Sequence, residues 1–377
     1  MMTNRLTNSV YSEFRSNMHS PIIALGSMSG TSLDGLDLAL VKFTPPSKKI
    51  NRWRFSIISS NFISYSGTRW EDDLLKAYKA NANELDKISR NYSKWVSFKA
   101  SEFISSLSHD LPEVFCSHGH TVKHSPENGV TQQIGNTHEL TTHLNIPVVC
   151  DFRSADVRRG GQGAPLVPIA DKLLFSDQPI CLNLGGFANA SWDENELRLA
   201  ADLGPCNIIL NELMRKMGKP YDDKGELSSR GQIDPKTLEK LNNLSYYSSE
   251  LPKSLSREWA EENIMLEILR IPKIEDALAT AVEHAAWAIN FGLEKLNSEK
   301  IFVTGGGVWN TYLMKRIAFY WKKEIQIPEK QIVNQKEALC FAFLGIRRLR
   351  GEINILSSVT GGGKDSCDGS VFEKNIY

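Results

Sequence analysis

The stretch Gly26-Ser-Met-Ser-Gly-Thr-Ser-Leu-Asp-Gly-Leu-Asp37 decides how the first part of the chain folds. The apolar run 21–26 leads into it, and the alternating run 36–43 follows it and stops before Pro45-Pro46. A third run with β character spans residues 53–62. The pattern predicts three strands in a meander, with a loop rich in Gly, Ser and Thr between the first two strands.

The glycines and acids of this loop favour a phosphate-binding role. Glycine lets backbone N–H groups converge on an anion, and the Ser and Thr hydroxyls add further donors. Asp34 and Asp37 could hold a magnesium ion, directly or through water. The loop lacks the Lys of the GxxxxGK[ST] motif, so an ordinary hairpin rich in turn-forming residues is the alternative interpretation.

Helical and extended patterns alternate through the rest of the chain. Residues 71–107 carry apolar side chains at near-helical spacing, and a long apolar helix is expected after Pro272. Short strands that end at glycines or at an acid are expected at 180–184, 197–201 and 301–303. This mixture predicts α/β architecture, and two halves with glycine-bearing turns suggest a cleft between them.

The composition excludes several classes of protein. The 377 residues are enough for about two domains of roughly 150 residues each, and 41% hydrophobic residues can fill their cores. The 44 Lys and Arg balance 44 Asp and Glu, which disfavours a nucleic-acid binder. No apolar stretch approaches the roughly 18 residues of a membrane span, and residues 1–20 lack the apolar core of a signal peptide. We therefore expect a cytoplasmic protein.

Two segments of the second half carry candidate catalytic groups. Asp202 follows a predicted strand and precedes the Gly204-Pro205 turn, a position typical of a catalytic acid at a cleft edge, although it could instead cap the next helix. Gly305-Gly-Gly307 follows another strand and permits close approach to a nucleotide, or simply forms a tight turn. The dense polar and glycine content of residues 151–165 suggests a ligand-facing loop.

Two other groups of polar residues have weaker functional signals. Six of the eight histidines lie between residues 109 and 143, and His118, His120 and His124 raise the hypothesis of a zinc hydrolase. No helical His-x-x-x-His pair with a nearby Glu accompanies them, so clustered polar loop histidines are the favoured interpretation. The charged run Lys253-Ser-Leu-Ser-Arg-Glu258 reads as a solvated surface loop.

These segments, in this order, resemble the anhydro-N-acetylmuramic acid kinases of the sugar-kinase/actin superfamily. The resemblance spans about residues 22–362, nearly the whole chain. Its most distinctive part is Gly160-Gly-Gln-Gly-Ala-Pro-Leu-Val-Pro168. The other matching segments are 28–37, Ser117-His-Gly-His-Thr-Val122, 133–135, Asp151-Phe-Arg153, Asn183-Leu-Gly-Gly-Phe-Ala-Asn189, Asp202-Leu-Gly-Pro-Cys-Asn207, 221–222, 305–307, Glu337-Ala-Leu-Cys-Phe-Ala342 and 359–361.

The resemblance implies the actin-like ATPase or sugar-kinase fold, with two ribonuclease-H-like lobes and ATP and sugar in the cleft between them. Residues 1–20 would be a polar extension, residues 21–145 with about 346–377 the first lobe, and residues 146–345 the second lobe. The partners would be a small sugar and ATP with Mg²⁺, without nucleic acid or membrane, and a homodimer is left open.

The resemblance also implies a role for individual residues. Asp202 matches the general base, and Asp34 and Asp37 are the candidate magnesium ligands. The sugar-side residues are Asp151, Arg153, His120 and Glu337. The residues expected to contact ATP are Gly30, Thr31, Ser32, Leu33, Asp34, Gly35, Leu36, Asp37, Gly185, Gly186, Gly305, Gly306 and Gly307.

The implied activity opens the 1,6-anhydro ring of 1,6-anhydro-N-acetylmuramic acid with water and phosphorylates its 6-oxygen, which yields N-acetylmuramic acid 6-phosphate during cell-wall (peptidoglycan) recycling. Inverting hydrolysis ordinarily needs two carboxyl groups. Here the leaving oxygen can take a phosphoryl group instead of a proton, so the single base Asp202 would suffice. The alternatives are a kinase of the same fold for another amino sugar and a non-catalytic, actin-like nucleotide-binding module.

The chain departs from the family pattern at three places. His120 stands where the family usually has Gln. Lys253-Ser-Leu-Ser-Arg-Glu258 replaces Lys-Ser-Thr-Gly-Arg-Glu, so that a serine occupies a glycine position. Thr360-Gly-Gly362 replaces Thr-Gly-Ala. None of these changes removes a proposed phosphate contact or the base.

Overall fold

The computed structural model describes residues 11–373, except residues 13, 17, 31–32 and 126–129. Thr31 and Ser32 of the predicted phosphate loop therefore lie outside the described residues, as do residues 1–10 of the predicted extension. The chain forms two compact units, a first unit of Met1–Ser176 with Gln335–Tyr377 and a second unit of Asp177–Asn334.

The described residues contain twelve named strands. They are β1 (Ile22–Ser29), β2 (Gly35–Thr44), β3 (Arg54–Ser64), β4 (Val114–Ser125), β5 (Val130–Ile134), β6 (Val148–Cys150), β7 (Ile180–Leu184), β8 (Phe187–Glu194), β9 (Leu197–Pro205), β10 (Lys300–Thr304), β11 (Glu324–Gln326) and β12 (Ser370–Phe372).

Helices connect and cover these strands. They are α1 (Arg69–Ala77), α2 (Ala82–Ser105), α3 (Ser154–Arg158), α4 (Pro168–Leu174), α5 (Asn207–Arg215), α6 (Pro235–Asn242), α7 (Ser245–Ser248), α8 (Arg257–Ala260), α9 (Leu266–Ile268), α10 (Ile274–Leu293), α11 (Thr311–Trp321), α12 (Lys330–Arg350) and α13 (Ser357–Thr360). Short 3₁₀ turns occur at His138–Thr141, Asp223–Gly225, Ser228–Arg230 and Gly306–Trp309, and a π turn at Glu261–Met265. Among the described residues, no helix combines the length and the apolar character that a bilayer crossing requires.

The sheet of the first unit has the strand order β12-β6-β4-β1-β2-β3, and β5 pairs with β4 outside this path. The first three strands form an antiparallel meander, as the opening stretch predicts. β4 lies parallel to β1, and β6 lies parallel to β4. A parallel neighbour needs a crossover connection, which α1 and α2 provide between β3 and β4.

The sheet of the second unit repeats this arrangement, with the order β11-β10-β7-β8-β9. β7, β8 and β9 form an antiparallel meander, while β10 lies parallel to β7 and β11 lies parallel to β10. In each unit, therefore, three meander strands continue through the first strand into two parallel strands. This is the order that a ribonuclease-H-like lobe requires, so the predicted fold class is confirmed for each unit.

The structure corrects two element boundaries expected from the sequence. Residues 71–107 form two helices instead of one, because Asn81 starts α2 with a capping box in which Glu84 reaches back to the Asn81 backbone N–H. Asp202 does not follow the end of a strand. It lies inside β9, because this strand continues to Pro205. The sharp turn expected at Gly204 is therefore absent from this described strand.

Each unit has its own apolar core, and a glycine fixes how α12 packs in the first unit. A Cβ at Gly26 of β1 would lie 1.9 Å from the backbone oxygen of Ala338 on α12. A Cβ at Gly345, two turns further along α12, would lie 2.1 Å from Cys116 Sγ on β4. The helix backbone can approach β1 and β4 this closely only because both positions lack a side chain.

We expect Gly26→Ala to lower the free energy of unfolding by about 1–3 kcal/mol or more, because a backbone oxygen cannot move aside as a side chain can. Urea denaturation followed by circular dichroism measures the change. Gly306→Ala is the matched control, since a Cβ there meets no atom within 4 Å. Equal stability of the two variants would contradict this account of the contact between β1 and α12.

Candidate functional site

Three acidic side chains of the first unit form a carboxylate cluster: Asp34, Asp37 and Glu337. Asp34 precedes β2, Asp37 lies on β2, and Glu337 lies on α12. Gln335, one half-turn before Glu337, donates its amide N–H to Asp37 Oδ1 at 3.2 Å. Burial raises the pKa of Asp37 to about 7, and Asp34 and Glu337 add repulsion in the same direction. Three carboxyl groups therefore gather here, and their mutual repulsion opposes the ionisation of Asp37.

The same donor set fits a magnesium ion. Mg²⁺ takes oxygen ligands and is usually held by one or two carboxylates together with water and substrate phosphates. The Oε1 atom of Gln335 is buried and has no hydrogen-bond donor among the residues that the structure describes. Within that part of the chain, no three His, Cys, Asp or Glu side chains enclose a metal by themselves. The arrangement thus suits an ion that arrives with phosphates, next to Asp34 and Asp37.

A neutral histidine holds the predicted sugar-side arginine. His118 Nδ1 lies 2.9 Å from the carbonyl oxygen of Gly119, and since that oxygen can only accept, Nδ1 carries the proton. His118 Nε2 then accepts from Arg153 Nη2 at 2.9 Å and from the amide of Gln133 at 3.0 Å. Burial, and then the Arg153 charge, hold the pKa of His118 well below its usual value. His118 is thus a fixed acceptor, and protein groups engage both of its ring nitrogens.

Arg153 connects this network to the carboxylate cluster. Its Nη1 donates to the carbonyl oxygen of Gly163 at 2.7 Å, so the guanidinium is held from two sides. Burial lowers the pKa of Arg153 to about 10, and attraction to Glu337 opposes that shift. Glu337 keeps solvent-accessible surface, yet the protein atoms around its carboxyl raise its pKa, against the attraction of Lys336 and Arg153. The two predicted sugar-side groups, Arg153 and Glu337, are therefore brought together.

His120 occupies a different environment from the other sugar-side residues. It has no solvent-exposed surface, and its Nδ1 lies 3.0 Å from Ser29 Oγ. Ser29 in turn accepts from the hydroxyl of Tyr65, which contacts the hydroxyl of Tyr92 at 2.5 Å. Burial lowers the pKa of His120 to about 4, so the ring is neutral at physiological pH. Its role as a sugar contact stays a prediction.

Asp156 organises the glycine-rich loops of the first unit. This fully buried carboxylate accepts from Gly163 N–H at 2.8 Å and from Thr360 Oγ1 at 2.9 Å. A Cβ at Gly161 or at Gly362 would lie 2.2 or 2.3 Å from an Asp156 oxygen. Gly362, which replaces the family's Ala, therefore leaves room for this carboxylate. Since Gly163 also binds Arg153, Asp156 supports the sugar side of the unit indirectly.

Asp151, the fourth sugar-side candidate, lies at the turn that follows β6. Its Oδ1 accepts from the Ser154 backbone N–H at 3.2 Å, at the start of α3. Its φ angle is 52°, in the left-handed region that non-glycine residues seldom adopt. Strained backbone of this kind is concentrated at functional sites.

In the second unit, Asp202 is half-buried on β9, the outer strand of its sheet. Asn189 of β8 pairs with Asp202, whereas Ala188 pairs with Gly204, so Leu203 is the extra residue of a β-bulge. Bulges redirect side chains and are frequent beside active sites. Burial raises the pKa of Asp202 to about 6, against the N–H of Leu255, which favours the charged form. The tertiary fold thus tunes this carboxyl toward the range of a general base.

The predicted nucleotide-side glycines of the second unit meet at one place. Asn207, at the start of α5, donates its side-chain amide to the carbonyl oxygens of Leu184 and Gly185 at 3.0 and 2.9 Å. A Cβ at Gly307 would lie 2.7 Å from the Leu184 Cβ, and Gly305 has a φ of 89°. A Cβ at Gly306 would meet nothing within 4 Å. Two glycines of the triplet therefore serve packing, and the middle glycine faces open space.

The run Lys253-Ser-Leu-Ser-Arg-Glu258 is more than a solvated surface loop. The Leu255 N–H donates to Asp202 Oδ2 at 2.8 Å, and the Lys253 carbonyl accepts from the Asp202 N–H at 2.9 Å. Ser256, which replaces the family's glycine, has an ordinary φ of −104° and caps α8 by accepting from the Trp259 N–H. The departure at this position therefore fits the local backbone.

Sequence reasoning did not identify three of the residues that organise these groups. Gln335 binds Asp37, and the Tyr246 hydroxyl donates to the Asp202 carbonyl oxygen at 2.6 Å. Both are isolated polar residues in helices, and neither has a sequence signal that distinguishes it from a surface residue. Asp156 lies in the quoted segment 151–156, but only its burial against the glycines shows its importance.

Comparisons with known proteins identify close relatives of the chain. A family model described as anhydro-N-acetylmuramic acid kinase matches residues 22–374. The chain is 34% identical over 363 residues to an anhydro-N-acetylmuramic acid kinase of Pseudomonas fluorescens (strain Pf0-1), which covers 89% of this chain and 95% of that protein. It is 31% identical over 367 residues to a protein of the same name from Shewanella sp. (strain W3-18-1), with coverage of 92% and 98%.

We expect Asp156→Asn to lower the free energy of unfolding by about 1–3 kcal/mol, because Gly163 and Thr360 donate to different carboxylate oxygens and the amide replaces one of these acceptors with an NH₂ donor. Thermal and urea unfolding measure the change. Asp365→Asn is the control: this exposed carboxylate also accepts two hydrogen bonds, both from Ser357, and its loss should cost less than about 0.5 kcal/mol. A neutral effect at Asp156 would disprove its organising role.

Proposed function

Since this chain belongs to the anhydro-N-acetylmuramic acid kinase family, we propose that it is an ATP-dependent kinase that opens 1,6-anhydro-N-acetylmuramic acid with water and phosphorylates its 6-oxygen. The product is N-acetylmuramic acid 6-phosphate, as expected for cell-wall recycling. The reaction consumes ATP, and we expect it to take place in the cytoplasm. The observation that carries the chemical assignment is the half-buried Asp202 carboxyl beside the β9 bulge, whose Oδ2 is held by the Leu255 N–H.

Asp202 acts as the general base in this proposal. Its Oδ2 is bound by the Leu255 N–H, and among the described residues no hydrogen bond reaches Oδ1, so Oδ1 is the oxygen that takes the proton of a water molecule. The water oxygen forms a bond to the anomeric carbon as the bond from that carbon to the 6-oxygen breaks. The 6-oxygen receives the γ-phosphoryl group, and ADP leaves. One base is enough because no proton has to be delivered to the leaving oxygen.

In this proposal the carboxylate cluster and the glycine turns bind ATP and its magnesium ion. Asp34 and Asp37 would hold Mg²⁺, which neutralises charge on the phosphates during transfer. Gln335 keeps Asp37 oriented for this role. Backbone N–H groups near Gly30 and at the Gly185-Gly186 turn are donors for phosphate oxygens, and the open space at Gly306 suits the nucleoside.

The sugar side is assigned to Arg153 and Glu337. Arg153 is fixed by His118 and by the Gly163 carbonyl, so its guanidinium is oriented before substrate arrives. A guanidinium pairs well with a carboxylate, and N-acetylmuramic acid carries one on its lactyl group. Glu337 and Asp151 are acceptors for sugar hydroxyls. The family match does not favour the alternative, phosphorylation of another amino sugar by the same groups without addition of water.

We expect Asp202→Asn to lower turnover by at least roughly a hundredfold, the low end for loss of a general base. The base must be ionised, and burial raises its pKa to about 6, so wild-type kcat should fall as the pH drops below about 6. A coupled ADP-release assay with the anhydro sugar from pH 5 to pH 8 measures both effects. Near-normal turnover of Asp202→Asn at neutral pH would rule out this role.

We expect the anomeric oxygen of the product to come from water. In H₂¹⁸O, mass spectrometry should find one ¹⁸O on the sugar and none on the phosphate at early times. Preformed product incubated in H₂¹⁸O corrects for spontaneous exchange at the anomeric centre. Turnover of only the non-anhydro N-acetylmuramic acid or of glucosamine derivatives, with no label gained above this exchange, would favour the alternative kinase.

A further inference from the structure

The outer edge of β9 is covered by residues 246–255 at the position of Asp202. The Asp202 N–H donates to the Lys253 carbonyl at 2.9 Å, and the Tyr246 hydroxyl donates to the Asp202 carbonyl at 2.6 Å. Both backbone groups that an edge strand would leave open at this residue are therefore used. The backbone of Asp202 is held on this side by two different residues.

The same segment also holds the side chain of Asp202. The Leu255 N–H donates to Oδ2 at 2.8 Å, two residues after the Lys253 carbonyl that binds the Asp202 backbone. The backbone and the carboxylate of Asp202 are thus both hydrogen-bonded by the short segment 253–255. We call Tyr246, Lys253 and Leu255 the clamp.

The Lys253 ammonium determines where the clamp lies. Its Nζ donates to the carbonyl oxygen of Tyr246 at 2.5 Å and lies 3.3 and 3.4 Å from the carbonyl oxygens of Tyr247 and Ser249. It also lies 4.3 Å from the centre of the Tyr246 ring. An ammonium has three N–H donors, and here three backbone oxygens face them. Lys253 therefore ties together both ends of the segment that contacts Asp202.

We infer that Lys253 and Tyr246 are positioning residues for the general base, and that they act by keeping the Leu255 N–H on Oδ2 so that Oδ1 faces the reacting water. The inference rests on the proposed role of Asp202 and adds two residues that act through their contacts with Asp202 and with each other. A misplacement of about 1 Å in a reacting group can lower the rate by about a hundredfold, so a clamp of this kind is valuable for catalysis.

The clamp also determines the direction of a pH effect. The Leu255 N–H favours the ionised form of Asp202 and so lowers its pKa, against the effect of burial. The titratable and charged groups on the elements packed around this carboxyl in the second unit are the Tyr246 phenol, the Lys253 ammonium and, behind Lys253, the Lys295 ammonium. Loss of the clamp removes a stabilising donor, so the pKa of Asp202 should rise.

The test compares Lys253→Met with the control Lys295→Met in the full chain. Both changes remove one positive charge, and Lys295 donates to the same Tyr247 and Ser249 carbonyls, but it does not contact Tyr246 or Asp202. For Lys253→Met we expect kcat with the anhydro sugar to fall by about 10- to 100-fold with little change in the KM for ATP, and the acid limb of the kcat profile to move to higher pH. Lys295→Met should keep the wild-type profile.

Tyr246→Phe removes one hydroxyl without a change in charge and decides the question if Lys253→Met does not fold. We expect it to lower kcat and shift the acid limb in the same direction. The pKa of Asp202, followed by ¹³C NMR of its carboxyl and assigned with Asp202→Asn, gives a readout that does not need turnover. A wild-type protein without activity on the anhydro sugar would refute the proposed function, and this titration would still test the clamp. Unchanged kcat profiles and an unchanged Asp202 titration in both variants would overturn the inference.

Discussion

The close contact of α12 with β1 is the constraint on which the first unit depends. At Gly26 the helix backbone lies so near the strand that a methyl group has no room. Because the helix is fixed at this distance, its residues 335 and 337 are brought to β2, where Gln335 binds Asp37. The result is a cluster of acids from two distant parts of the sequence, residues 34–37 and residue 337. The position of α12 thus brings the Glu337 carboxyl close to Asp34 and Asp37, where the three negative charges repel one another.

Burial gives the polar residues of this unit different chemical roles. Nearby protein atoms raise the pKa of Asp37 and of Glu337, although Glu337 stays exposed, and Asp34 adds repulsion to both carboxyls, which favours a bound cation. His118 is buried beside Arg153 and stays neutral, so it can accept a hydrogen bond from the guanidinium. A charged His118 would repel Arg153 instead. The pattern matches what a phosphoryl-transfer enzyme of this family needs.

In the second unit, the main structural feature is the fixed orientation of one carboxylate, Asp202, on the edge strand β9. A bulge at Leu203 changes the register beside Asp202, and the clamp binds what the edge would leave exposed. Edge strands offer free backbone groups, which ordinarily invite unwanted pairing. Here those groups are used to fix one side chain. Stability at the sheet edge and orientation of the Asp202 carboxylate are therefore parts of the same set of contacts.

The α/β class, the first meander, the family and the chemical candidates Asp34, Asp37, Asp202 and Arg153 can all be predicted from the amino-acid sequence. The class and the meander follow from alternation and from glycines at turns. The three aspartates stand out beside predicted strands, whereas the family and the role of Arg153 follow from the resemblance of the motifs. Four features become visible only once the chain is folded. A second helix, α2, starts at Asn81, and Asp202 lies inside β9. Lys253 and Leu255 form hydrogen bonds with Asp202, and Asp156 binds two glycine-rich loops. Such contacts join residues up to 204 positions apart, as between Asp156 and Thr360. Their geometry depends on how sheets and helices pack, which no local pattern of side chains records.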